Sequence, residues 1–67
     1  MEIKVAKEYI TLGQLLKLAD IIQSGGEAKF AVKQLYILVN NVREDRRGRK
    51  LYPGDLVVVD GKQIQLV

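Results

Sequence analysis

The hydrophobic period of this chain becomes that of helices at Thr11 and that of strands after Leu35, and the second change dictates a fold with helices early and hairpins late. From Thr11 the apolar residues Leu12, Leu15, Leu16, Ala19 and Ile22 fall at i, i+3, i+4, i+7 and i+10, one stripe of a helix that Thr11 is placed to cap. Ser24-Gly25-Gly26 is expected to end it. A second helix is predicted from about Gly25 to Gln34, with Ala28, Ala31, Val32 and Leu35 forming its apolar stripe. Lys29 and Lys33, four apart, share a neighbouring face. Beyond Leu35, Tyr36 to Val39 reads as a strand, Asn40-Asn41 as a hairpin turn and Val42-Arg43 as the start of the return strand. Tyr52-Pro53-Gly54-Asp55 is turn chemistry, Leu56 to Val59 a buried strand and Asp60-Gly61 a second hairpin turn. Gln63 to Val67 alternates apolar with polar, as does a short first strand over Glu2 to Ala6. The expected layout is β-α-α-β-β-β: an α+β domain of two short helices packed on a small, mostly antiparallel sheet, with no internal repeat or linker.

At 67 residues the chain has room for one domain spanning 1–67. Its 48% hydrophobic content and single proline belong to a folded globule. No cysteine is present, so packing alone must stabilise it, and a reducing cytoplasm is the expected setting. No stretch approaches the roughly 18 apolar residues of a membrane span, and Met1 to Val5 lacks the apolar run of a signal peptide. Catalysis has little to work with: there is no histidine or cysteine, and Ser24 has no base to form a nucleophilic pair. Asp55 and Asp60 fall in turns, where local hydrogen bonding explains them, and scattered acids without ligand spacing give no metal site. The expectation is a protein that is no enzyme, holds no cofactor and takes no small-molecule substrate.

Charge is segregated. The net charge is +3, yet residues 28 to 50 hold seven cations, Lys29, Lys33, Arg43, Arg46, Arg47, Arg49 and Lys50, against Glu44 and Asp45. All four arginines of the chain lie between Arg43 and Arg49. Arginine suits RNA because its planar fork grips phosphate bidentately and stacks on unpaired bases. The competing reading is a solvated turn in which Glu44 and Asp45 pair some of the arginines. At Ser24-Gly25-Gly26 a helix N-terminus could receive a phosphate with help from Lys29; equally, Ser24 merely caps the helix. Tyr9, Phe30, Tyr36 and Tyr52 are expected in core or rim packing, with Phe30 off the main apolar stripe, and Lys17 and Lys62 are expected in solvent.

Five spaced segments carry a family resemblance: Ile10-Thr11-Leu12-Gly13-Gln14-Leu15-Leu16-Lys17, Ser24-Gly25-Gly26-Glu27-Ala28-Lys29, Ile37-Leu38-Val39-Asn40, Arg46-Arg47-Gly48-Arg49-Lys50-Leu51 and Gly54-Asp55. Over residues 10 to 60 they resemble the S-four domain, named for the fourth small-subunit ribosomal protein, and in particular its small stand-alone bacterial members. The resemblance implies the S-four (alpha-L) RNA-binding fold, with the second helix and the basic loop facing structured RNA. The partner it favours is ribosomal RNA, with transfer RNA also open. The implied contacts are Ser24, Gly25, Gly26, Lys29, Lys33, Arg43, Arg46, Arg47, Arg49 and Lys50. The chain departs from the common pattern at Asn41, where glycine is usual, and at Gly26, where many members place arginine. Two alternatives come from other classes. One is a β-grasp fold, which without a terminal Gly-Gly lacks carrier chemistry; the other is an adaptor whose basic loop binds an acidic protein.

Overall fold

The computed structural model describes residues 1–67. Its elements are β1 (Glu2–Ile3), β2 (Ile10–Thr11), α1 (Leu12–Leu18), α2 (Ala28–Gln34), β3 (Ile37–Val39), β4 (Val42–Arg43), β5 (Lys50–Leu51), β6 (Leu56–Val59) and β7 (Lys62–Leu66), with one 3-10 turn at Gly25–Glu27 leading into α2. Two helices lie against a five-stranded sheet of order β1-β7-β6-β3-β4, antiparallel except for the parallel pair β1 and β7, and the α+β expectation holds. A second, two-stranded ladder pairs β2 with β5, Ile10 opposite Leu51, which periodicity could not reveal because each strand is two residues long. No helix is long and apolar enough to cross a membrane.

The first helix begins as its sequence dictates. Thr11 accepts a hydrogen bond from the Gln14 backbone N–H at 3.2 Å, while Gln14 accepts from the Thr11 N–H at 2.9 Å, a reciprocal capping box. It ends earlier than expected. Asp20 takes the left-handed conformation (φ 61°), and the N–H groups of Ile21 and Ile22 both turn back to the Leu16 carbonyl. Ile22 is therefore buried by a turn and not by a third helical turn, which is why its i+10 position misled. Ser24-Gly25-Gly26 does not stop α1; it starts the 3-10 turn that precedes α2.

Both hairpin turns form as expected, with Asn40 and Asn41 at φ 51° and 69° and Asp60 and Gly61 at 48° and 86°. Asn40 also fixes the neighbouring strand, its Oδ1 accepting from the Leu56 N–H at 2.9 Å. Asp55 closes its own turn, accepting from the Tyr52 N–H at 2.8 Å. Asp60 departs from the expected local role: its carboxylate accepts from the Tyr36 N–H across the sheet. The first strand is shorter than expected, but Val5 remains tied to the C-terminal end through its N–H to the Val67 carbonyl at 2.8 Å. Leu12, Leu15, Leu16 and Val32 from the helices meet Ile37, Val39, Leu51, Val57, Ile64 and Leu66 from the strands in one core, all of them at most 2% exposed. Packing this α1–α2 layer onto the sheet leaves the outer face of α2 beside the loop between β4 and β5.

Candidate nucleic-acid interface

The loop from Glu44 to Arg49 is built around a buried carboxylate. Glu44 is the one polar or charged residue in the buried set, at 5% exposure. Its two oxygens accept from the backbone N–H groups of Asp45 and Arg46, from Nε and Nη2 of Arg46 at 2.9 and 3.0 Å, and from Nη1 of Arg49 at 2.8 Å. A carboxylate this little exposed is stabilised as an anion by the charged donors that surround it. The Arg46 fork is the largest influence holding the Glu44 carboxyl down to about 2, opposed by burial and reinforced by Arg49 and the Arg46 backbone N–H. The same contact raises Arg46 above its already high value.

Because the Glu44 carboxyl lies below its ordinary value of 4.5 in the folded protein, its contribution to stability is complete above that value. It is lost as pH falls through about 2. Thermal melts across this range should therefore show a destabilisation on acidification that Glu44→Gln reduces. An unchanged acid limb in that variant would remove Glu44 from the account.

The backbone of the loop is anchored as well. The carbonyl oxygens of Arg49 and Arg47 each accept, at 2.9 Å, from the first N–H groups of α1, those of Leu12 and Gly13. Gly13 serves the packing of α1 on α2 more than the loop: a β-carbon there would stand 3.2 Å from the Ala28 β-carbon, so the helices would have to part by a few tenths of an ångström, while its 3.5 Å to the Arg47 carbonyl oxygen is ordinary contact. The β2–β5 ladder fixes the far end of the loop at Lys50.

This scaffold brings most of the sequence candidates together. Lys29 and Lys33 on α2 line one groove with Asp45, Arg46 and Arg47. A second groove runs from Gly25 past Arg47 and Gly48 to Lys17. A third joins Arg46 and Arg49 to Lys50 and Tyr52. Ser24 and Gly26 are exposed at the rim, and Ser24 makes no capping hydrogen bond from its side chain. Arg43 stands apart on β4, its guanidinium 4.5 Å above the Tyr36 ring. The solvated-turn reading of the loop is correct in one respect: Arg46 and Arg49 pair with Glu44, and Lys33 pairs with Asp45 at 3.2 Å. Even so, the Arg46 side chain is 71% exposed, and Glu44 occupies one edge of its fork, leaving the other N–H groups directed elsewhere.

Of the core-or-rim expectation for the aromatics, Phe30, Tyr36 and Tyr52 take the rim, exposed at 60%, 54% and 42%. Lys17 is in solvent as expected, yet it lines a groove shared with Gly25 and Arg47, a placement set by the α1–α2 packing that no local pattern signalled. No group of carboxylates gathers closely enough to hold a metal ion.

The arrangement defines a class: a small α+β domain whose basic surface is assembled from one helix and one tethered loop. Comparison with known proteins agrees with it. The S4 domain family profile matches residues 3–67, nearly the whole chain, and the chain belongs to that family. A relative from Bacillus subtilis (strain 168), described as a probable ribosome maturation protein RlbA, is 56% identical over 59 residues, covering 88% of this chain and 83% of the relative. The β-grasp alternative is thereby set aside. No solved structure gave a match.

Proposed function

We propose that this protein is a non-catalytic RNA-binding module that holds structured RNA, ribosomal RNA in the first place, on the surface formed by α2 and the Glu44–Arg49 loop. The observation that carries this reading is the convergence of Lys29 and Lys33 with Arg46 and Arg47 in one groove, on a backbone fixed by α1. Such a surface recognises the spacing of phosphates along a folded RNA more than base edges. Lys50 and the Ser24-Gly25-Gly26 rim extend it on either side, with Arg49 acting chiefly through Glu44 and Arg43 contributing from the hairpin. Membership of the S-four family supports RNA as the ligand, and the name of the Bacillus relative supports a role in ribosome maturation in the cytoplasm. Transfer RNA is the competing structured RNA.

The test is fluorescence anisotropy with a structured RNA hairpin and a matched DNA duplex across a salt series. Binding should favour the hairpin and lose about three units of log K per unit of log salt, as roughly four phosphate contacts require. Absence of binding to either nucleic acid at low salt would overturn the reading in favour of an acidic protein partner.

A further inference from the structure

A cavity outside the groove of α2 and the basic loop gathers three lysines that are remote in sequence. Lys4 and Lys7 come from the irregular segment between β1 and β2, and Lys17 comes from the last turn of α1. All three are exposed, and the one acid beside them is Glu8. Tyr9, Thr11 and Gln14 add polar groups to the wall, and Ala6, Ile10 and Leu18 form its apolar part. The half-buried Tyr9 ring lies 5.9 Å from that of Tyr52 at an interplanar angle of 50°, and Lys50 Nζ stands 4.9 Å from its centre. Nothing in the core requires this cluster: the buried anchors of the segment are Val5 and Ile10, while Ala6, Lys7 and Glu8 between them are exposed.

The cavity is continuous with the surface already described on two sides. Lys17, Thr11 and Gln14 line both the cavity and the groove of Gly25 and Arg47. Lys50 and Tyr52, which flank Tyr9, line the groove of Arg46 and Arg49. A polyanion lying on the basic loop can therefore pass into the cavity over shared lining residues, with Glu8 and Asp55 the acids and Leu18 the exposed apolar residue along the way. An aromatic ring with one ammonium group at its face and three more lysines lining the same cavity suits an unpaired nucleotide, whose base stacks on the ring while the flanking phosphates meet the lysines. A paired helix cannot use the ring, because its bases are already stacked.

We infer that the Tyr9 cavity receives an unpaired segment flanking the helical RNA held by α2 and the loop, so that the protein prefers a junction of helix and single strand over a closed helix. The inference rests on the RNA-binding reading above. It makes Tyr9 a stacking residue and Lys4 and Lys7 phosphate contacts.

The experiment compares a blunt RNA hairpin with the same hairpin carrying a single-stranded tail of roughly four nucleotides. The tail should tighten binding about tenfold, the contribution of one stacked base. Tyr9→Leu should abolish that gain while leaving affinity for the blunt hairpin unchanged. Lys4→Ala with Lys7→Ala should reduce it, and because both side chains are exposed this variant keeps the test valid should Tyr9→Leu fold poorly. The chain has no tryptophan, so tyrosine emission provides a second readout, and the tailed hairpin should quench it more than the blunt one. Tight binding of the blunt hairpin with no gain from the tail, or a gain that survives in the variants, overturns the inference and leaves the primary reading standing. Failure of both RNAs to bind overturns both.

Discussion

Replacing Arg46 and Arg49 together by Ala should lower the melting temperature by about 5 °C, because the one buried carboxylate of the domain then loses its charged donors. From the sequence alone the loop reads as an RNA-facing segment that contributes little to the core. The structure makes it a support, because Glu44 would lose both charged partners, Arg46 Nε at 2.9 Å and Arg49 Nη1 at 2.8 Å. The backbone N–H groups of Asp45 and Arg46 would remain, which limits the damage. Adding Glu44→Gln to the double variant should recover part of the loss, since the desolvated charge is then gone. Thermal melts followed by circular dichroism give the answer. A double variant as stable as the parent would mean that the Glu44 carboxylate reaches water.

Replacing Lys29, Lys33 and Arg47 together by Ala should have the opposite profile, with stability nearly intact and RNA affinity lowered about 100-fold near 0.1 M salt. Each phosphate contact contributes about 0.7–0.9 to the slope of log K against log salt. Three lost contacts reduce a slope of about three to about one, and extrapolation from 1 M salt to 0.1 M gives the two decades. All three side chains are exposed; Lys33 pairs with the solvated Asp45, and Lys29 Nζ lies 5.1 Å from the centre of the exposed Phe30 ring. The two variants thus separate the arginines that hold the loop from the cations available to a ligand. Equal loss of RNA binding and of folding in the triple variant would show that the groove is structural.

The elements legible in the sequence are those whose signal is local. The stripe through Leu12, Leu15 and Leu16, the Asn40-Asn41 and Asp60-Gly61 turns and the alternation around Ile64 and Leu66 each follow from backbone sterics and side-chain period, and each is realised. The end of α1 was not legible, because Asp20 in a left-handed conformation competes with a glycine pair as the stop signal, and Asp carries no mark of which it will do. The basic cluster was visible as composition, but the division of labour within it was not. Burial of Glu44 depends on the loop folding back beneath Arg46 and Arg49, which no period announces. The cavity at Tyr9 was similarly hidden, since Lys4, Lys7 and Lys17 meet only after α1 and the β1–β2 segment are placed in three dimensions.

The hydrogen bonds from Leu12 and Gly13 to the carbonyls of Arg49 and Arg47 have a thermodynamic consequence for recognition. A free arginine-rich loop would surrender its conformational entropy on meeting RNA, at about 1–2 kcal/mol per residue, and much of the electrostatic attraction would be consumed in ordering it. Here the helix that the loop caps has already imposed that order on the backbone during folding. The attraction between guanidinium and phosphate is then expressed as affinity, and the loop meets its ligand as a preformed template whose spacing the RNA must match.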